Sequence, residues 1–452
     1  MIYSELYKNR KKIYCNIISG KYSNIRLFFI SIFIICYFLI PLLNYKNRQA
    51  VIFDIINYKI YFFNYIFYPN DFVLFCIIIL IFLIIFFLIT LLYGRLWCGY
   101  LCPQTVMLYI FNVLSVIFEG NRNNRIKIDN HLFDFYVFFL KIFKHFIFLF
   151  FLFLGAIFFV GYFVSSRALI NSILFFKIDN FIIFIIIFIT FLLYFELIFL
   201  GEQFCFLICP YARFQNIMYD ENTTIVKYDV IRGEPRKYKK KNYSDFGDCI
   251  SCFQCVYSCP TGIDIRNGEQ IECINCGVCA DACNNVMIKV SKPINLILYK
   301  KDYNVSKFTY NLYKKKLFIF SFILLCLFSI FVYLLNNKTD LEFIVYRNQQ
   351  TLYNNLSDNI IENNYILKFF NKSNNDIFCN VNVSNFDNID MNYIGPTNLI
   401  INSDCISNVY IKIHFFLNKE MKKNFYKIFF NIKYVKNKVD FFLKKEVNFF
   451  IF

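Results

Sequence analysis

Residues 248–283 read DCISCFQCVYSCPTGIDIRNGEQIECINCGVCADAC and hold eight of the eighteen cysteines in the chain. The eight fall in two copies of one spacing: Cys249, Cys252, Cys255 and Cys259 followed by Pro260, then Cys273, Cys276, Cys279 and Cys283. C-x2-C-x2-C-x3-C lets thiolates wrap a cubane, and in two-cluster ferredoxins the fourth cysteine of each run crosses to the other cluster. The spacing therefore assigns Cys249, Cys252, Cys255 and Cys283 to one [4Fe-4S] centre, and Cys273, Cys276, Cys279 and Cys259 to a second. Paired zinc sites are the alternative, but they use distant C-x2-C pairs or mix in histidine, and do not repeat a four-cysteine run. Gly262, Gly268 and Gly277 allow backbone N–H groups to approach cluster sulfurs, and Pro260 ends helical geometry after a ligand.

Outward from this insert the chain is built for lipid. Its 452 residues are 58% hydrophobic, with a formal net charge of +17. Five apolar runs, about 27–43, 72–93, 145–164, 181–200 and 317–335, approach or reach the roughly 20 residues a bilayer requires. A sixth, Thr105 to Phe118, is too short to span and is expected to lie as an interfacial or buried helix. The basic residues flank these runs, so the charge reflects membrane topology and not nucleic-acid binding. Lys8, Arg10, Lys11, Lys12, Lys21 and Arg26 precede the first span, and Arg95, Arg122, Arg125, Lys127, Lys141 and Lys144 follow the second. The other loops are poorer, holding Lys46, Arg48 and Lys59, then Arg167 and Lys177. The N-terminus and the cysteine-rich insert are thus expected in the cytoplasm, where thiols stay reduced, and the C-terminus outside it. No cleavable signal peptide is expected, because no small-residue cleavage site follows the basic start.

Beyond the fifth span, short apolar stretches alternate with Asn-rich turns, the pattern of a β-sandwich on the outer side. Cys379 and Cys405 lie there; a disulfide and two separate buried thiols both fit the sequence. The expected division is a cytoplasmic tail (1–26), a four-helix transmembrane region (27–210), a ferredoxin-like α+β insert (211–316), a fifth transmembrane helix (317–335) and an all-β sandwich (339–452).

Two further cysteine pairs sit where the second and fourth spans should end: Cys98 and Cys102 in GRLWCGYLCPQT, and Cys205 and Cys209 in GEQFCFLICPYARFQ. Both are C-x3-C-P, and on a helix residues i and i+4 share a face, so each pair can present two sulfurs to one ion. Soft thiolates suit Cu(I), or a third cluster if all four converge; small buried helix residues or acylation sites are the bland alternative. Arg95 and Arg213 are near enough in sequence to favour thiolate. Only His131, His145 and His414 exist, none central in a span, so a membrane haem relay is not expected. His145 is expected at a helix start. Glu196, inside the fourth span, is costly there and is either a proton or ion ligand or a snorkelling residue.

The chain resembles the bacterial cytochrome c oxidase accessory proteins called CcoG, FixG or RdxA. The resemblance rests on RQAVIFD (48–54), PNDF (69–72), GRLWCGYLCPQTV (94–106), EQFCFLICPYARFQ (202–215), the 248–283 stretch and IIENNYILKFFNK (360–372). It implies a multi-pass protein of the bacterial inner membrane with two ferredoxin-type [4Fe-4S] clusters and an outer immunoglobulin-like domain. It further implies a role in assembling a haem-copper oxidase by reducing Cu(II) to Cu(I), with Cys98, Cys102, Cys205 and Cys209 as the copper site. Its partners would be oxidase subunits or copper-handling proteins and a cytoplasmic electron donor the sequence does not identify; a homodimer is compatible with it. Asn284 and Asn285 depart from the family, which usually has an acidic residue there. Two other functions fit the sequence: an electron-transfer subunit of a quinol-linked chain, and a non-enzymatic assembly scaffold.

Overall fold

The computed structural model describes residues 12–46, 48–130, 135–218, 222–236, 246–301, 307–347, 353–357, 360–373, 375–385, 391–416, 425–436 and 439–450. Lys8, Arg10, Lys11 and His131 lie outside the described residues. The chain divides into two compact units, Met1–Ile52 with Cys76–Ile330 and Phe53–Phe75 with Phe331–Phe452.

The long helices are α1 (Lys21–Leu39), α2 (Phe72–Tyr93), α3 (Pro103–Glu119), α4 (Phe135–Gly161), α5 (Asn180–Phe195), α6 (Val278–Lys289) and α7 (Lys307–Asn336). Leu, Ile and Phe dominate α2, α4, α5 and α7, and many of these side chains are exposed, as a lipid-facing surface requires. Among the described residues six stretches are long and apolar enough to cross a membrane, one more than the five expected. The additional one, Leu96–Glu119, joins a short helix (Leu96–Tyr100) to α3 across an extended Cys102.

Its start and the residues just beyond its end touch the cysteine-rich segment. At the start of this stretch the Tyr100 hydroxyl donates to the Cys276 carbonyl at 3.1 Å, and just beyond its end the Arg122 guanidinium covers the Tyr257 ring at 4.0 Å. Among the described residues the multi-pass membrane protein therefore has six stretches able to cross, one of them broken at the extended Cys102.

Several boundaries differ from the sequence expectation because helices continue into polar flanks. The first begins at Lys21 instead of 27 and the third at Phe135 instead of 145, so His145 is inside α4 and shares a 3.1 Å hydrogen bond with the Tyr194 hydroxyl. Gln49 explains part of the RQAVIFD string. Its buried amide donates to the Val51 and Gly161 carbonyls at 2.8 and 2.9 Å and accepts from the Ser166 N–H at 2.9 Å, fixing the loop after α1 to the end of α4.

The cysteine-rich segment is closed by β1 (Ile225–Tyr228) paired antiparallel with β2 (Ile297–Lys300), with α6 packed against the pair. Asp281 of α6 is buried and accepts the Tyr22 and Ser23 N–H groups at 3.2 and 2.7 Å, so it caps the N-terminus of α1 from another element. Only glycine fits at position 20, where a Cβ would overlap the Asp281 carboxylate.

In the second unit two antiparallel sheets face each other. One has the order β7 (Met391–Ile394), β9 (Ile406–Phe416), β5 (Ile360–Asn371), β3 (Leu341–Arg347), with β4 (Asn354–Ser357) also paired to β5. The other is β8 (Asn398–Ile401), β6 (Ile377–Asn385), β10 (Phe425–Lys436), β11 (Val439–Phe450). The period-two pattern of β5 sends Tyr365, Leu367 and Phe369 inward to meet Val381, Ile428 and Phe430 from the facing sheet. Cys379 is buried in this core and Cys405 is exposed in a turn; both thiols are free. Asp71 of the PNDF string caps Tyr68 and is clamped by Lys372 at 2.6 Å and Lys338 at 3.2 Å.

Candidate metal centres

The two cysteine runs fold as copies of each other. Ser251 and Phe253 flank Cys252 with φ of 54° and 58°, and Asn275 and Gly277 flank Cys276 with φ of 54° and 75°. Left-handed residues alternating with right-handed ones turn successive N–H groups toward one point, a concavity that receives anionic iron-sulfur groups. Three of the four are not glycine, and such residues cost about 1–3 kcal/mol each unless the site requires them. Cys283 lies within electrostatic range of Cys249, Cys252 and Cys255. Cys279 lies within range of Cys259, Cys273 and Cys276. Among the described residues no three His, Cys, Asp or Glu side chains close on a single ion. A cubane does not need that, because each thiolate binds a different iron; the donors and the N–H cradle fit such a group. Burial pushes the Cys255, Cys273 and Cys283 thiols up to about 12, so metal binding must displace their protons. Arg266, buried beside Cys255, pairs with Asp264 at 2.7 Å and holds that carboxyl below the usual range.

The C-x3-C-P motifs differ from the helical picture. Cys98 is on the turn Leu96–Tyr100, but Cys102 is extended with ψ 126°, and Pro103 opens α3. Cys205 is on a π-helical turn, Phe204–Ile208, and Cys209 is again extended with ψ 114° before Pro210 opens the next helix, Pro210–Met218. Proline forces its predecessor out of helical geometry, so the second sulfur of each pair leaves the helix face. Cys98 is within electrostatic range of Cys102, Cys205 and Cys209, although no three of the four close on a single ion. Thr105 Oγ1 donates to the Cys98 and Cys102 carbonyls at 2.8 and 2.9 Å, and Cys98 Sγ lies 3.4 Å from Gln215 Oε1. Sequence reasoning passed over Thr105 and Gln215, whose only signal was proximity to the motifs.

Arg95 and Arg213 are not equivalent. Arg213 is exposed and donates to the Leu207 carbonyl at 2.7 Å. Arg95 is buried and donates to the Ala212 carbonyl and, at 2.5 Å, to the Ile271 carbonyl, tying both motifs to the cysteine-rich segment. Glu196 opens a π-helical turn, Glu196–Leu200, after α5.

The two cysteine systems touch. Cys98 packs against Ile274, Cys276 and Val278. A Cβ on Gly99 would lie 2.7 Å from the Ile274 carbonyl oxygen and 3.1 Å from Cys276 Cα, so the backbone of the first motif rests directly on the second run.

Three family models match the chain: a 4Fe-4S binding domain over residues 75–121, a 4Fe-4S dicluster domain over 200–302, and the IG-like fold at the C-terminus of FixG over 331–451. The nitrogen fixation protein FixG of Rhizobium meliloti is 32% identical over 303 residues, 65% of this chain and 58% of that protein. RdxA of Cereibacter sphaeroides is 32% identical over 299 residues, 65% of this chain and 63% of RdxA. RdxB of the same organism is 32% identical over 306 residues, 66% and 64%. The chain thus spans about three-fifths of the length of these relatives. A solved FixG-related protein from Vibrio parahaemolyticus aligns at 16% identity and TM-score 0.20, covering 25% of this chain and 97% of that one. Iron-sulfur domain models, the IG-like C-terminal model and relatives that agree along most of the membrane and cluster regions make this multi-pass iron-sulfur membrane protein similar to FixG and the Rdx proteins.

Proposed function

We propose that the protein reduces Cu(II) to Cu(I) at the cytoplasmic face of the bacterial inner membrane, for assembly of a haem-copper cytochrome c oxidase. The observation that carries the reading is the packing of Cys98 on Cys276, which puts a soft-ligand group in van der Waals contact with a run suited to hold a cluster. Cys249, Cys252, Cys255 and Cys283 would hold one [4Fe-4S] group, and Cys273, Cys276, Cys279 and Cys259 the other. Bound there, the cubanes supply single electrons.

The chain's own residues do the rest. Cys98, Cys102, Cys205 and Cys209 receive copper as substrate, and thiolate favours Cu(I) over Cu(II). Arg95 fixes both motifs to the cluster segment and lends positive charge to the thiols. The basic tail and the cysteine-rich segment occupy the cytoplasmic side by the positive-inside rule, which leaves the immunoglobulin-like domain outside for oxidase subunits or copper-handling partners.

The test is anaerobic. Pre-reduced protein is mixed with Cu(II), and cluster absorbance is followed together with Cu(I) captured by a chelator. Stoichiometric bleaching and Cu(I), both lost in Cys98→Ser/Cys102→Ser with clusters intact, support the reading. Cu(I) production unchanged in that variant refutes it.

A further inference from the structure

Between the cysteine-rich segment and the membrane helices lies a cavity of about 380 Å³ that none of the residues discussed above accounts for. One wall is Ser258, Pro260 and Thr261, the neighbours of Cys259; the opposite wall includes Cys205. Leu108, Tyr109, Phe111, Ile198 and Phe206 make the cavity largely apolar. Yet three buried polar atoms on its lining residues have no hydrogen-bond partner: Ser23 Oγ, Arg26 Nε and Arg125 Nε. Arg26 is 6% exposed, rests on the Tyr109 ring at 5.2 Å, and has no carboxylate or carbonyl partner among the described residues. Buried donors without acceptors are rare, and a built, apolar cavity that retains them is shaped for a ligand that brings oxygen acceptors.

From this we infer that the cavity binds the ring of a membrane quinol, and that the quinol is the electron donor to the clusters. The inference rests on the eight cysteines holding clusters and is independent of the copper reading. Four observations point to that class. The volume suits a one- or two-ring headgroup. Aromatic and aliphatic walls suit the ring, and Arg26 and Arg125 suit its oxygens. The site adjoins membrane-spanning helices, from which a lipid-soluble carrier arrives. It also lies between the second cysteine run and Cys205, where an electron donor belongs. In the step, the quinol loses two electrons and two protons and becomes quinone. Cubanes held by the eight cysteines would each take one of the electrons, and the two protons would pass to water.

The partner of Arg26 could instead be the charge of the second cluster, since Arg26 is within electrostatic range of Cys276. The experiment separates the two. Purified holoprotein is photolabelled with an azido-benzoquinone, and labelled peptides are mapped; in parallel, decyl-benzoquinol is added anaerobically and cluster absorbance followed. The expected result is label within residues 105–125 or 257–261, competed by unlabelled quinone, with quinol-dependent bleaching. Arg26→Leu and the cavity-filling Ser115→Phe should each cut labelling and quinol bleaching at least tenfold, while dithionite bleaches their clusters fully. Label elsewhere, clusters that dithionite but not quinol reduces, or variants that shift cluster potential with labelling unchanged would overturn the inference. Copper reduction driven by dithionite in the same preparations reports separately on the proposed function.

Discussion

The Tyr100 hydroxyl donates to the backbone carbonyl of Cys276 at 3.1 Å, so the turn that carries Cys98 is hydrogen-bonded to a residue of the second cysteine run. Tyr100 is buried and also meets the Tyr299 hydroxyl at 3.3 Å. Tyr100→Phe should cost about 1 kcal/mol in stability, the usual worth of one such bond. Gly99→Val should do far more, because its side chain would be driven into Ile274 and Cys276. The expected phenotype is full iron content with Cu(I) formation slowed by an order of magnitude or more, read by stopped-flow mixing.

Iron content discriminates the chemistry of the four membrane thiols. Two cubanes require eight irons per chain, and a third at Cys98, Cys102, Cys205 and Cys209 would bring twelve. The copper reading expects about eight in anaerobically purified protein, unchanged in the Cys205→Ser variant. Twelve irons, falling to eight in that variant, would replace it with a third cluster.

Backbone strain at Ser251 offers a matched pair of substitutions. Its φ of 54° suits glycine and opposes β-branched residues. Ser251→Gly should load its cluster normally, whereas Ser251→Val should lose on the order of 1–3 kcal/mol and release iron first from the group nearest Cys252. Electron paramagnetic resonance of the reduced protein distinguishes loss of one centre from loss of both.

The Asp129 carboxylate is half-buried where Lys12 at 2.6 Å, Lys141 at 2.8 Å and the Tyr14 hydroxyl at 2.6 Å converge. Burial alone would raise its pKa; the three hydrogen bonds outweigh burial and hold the carboxyl below the usual carboxylate range. Since the folded value is depressed, the stabilisation is present above about pH 4 and is lost as pH falls through the folded value. Asp129→Asn should free the N-terminal segment to protease at neutral pH, while the unsubstituted protein should need strong acid. Equal cleavage of both at pH 7 would count against this anchor.

In the second unit Asp71 carries the largest single effect. Its carboxylate, with the Lys372 side chain only 2% exposed, forms a buried pair, and Lys372 also meets Glu342 at 2.6 Å. Removing one partner leaves an uncompensated charge, so Asp71→Ala should destabilise this unit by about 3–5 kcal/mol, measurable by thermal unfolding.

What the sequence revealed and concealed follows from the range of each interaction. Cys249 to Cys283 are close in sequence, so their chemistry could be read from spacing alone. Apolar length likewise announced α1, α2, α4, α5 and α7, and the period of two announced the strands around Leu367. Thr105 to Phe118 is too short to span by itself, but the structure joins it to Leu96–Tyr100 in a stretch long enough to cross, and the contacts of Tyr100 and Arg122 at its flanks depend on residues more than a hundred positions away. The geometry of Cys102 and Cys209 was misjudged by extending a helix rule through a residue that proline keeps extended. Arg26 looked like an ordinary topology charge, because burial without a partner is a property of the fold.

The N-terminal segment has one more consequence, for the order of synthesis. Cys15 donates its thiol to the Ser258 carbonyl at 3.1 Å, 243 positions later, and the Asn16 N–H donates to the Tyr257 carbonyl at 2.8 Å. Arg95, Tyr100 and the N-terminus of α1 likewise wait for Ile271, Cys276 and Asp281. At roughly 5–20 residues per second on the ribosome, these residues remain without their partners for about nine seconds or more. The cysteine-rich segment is thus laid only after the helices it ties, so a cell short of iron would stall the protein with those helices already in the bilayer and their ends untied.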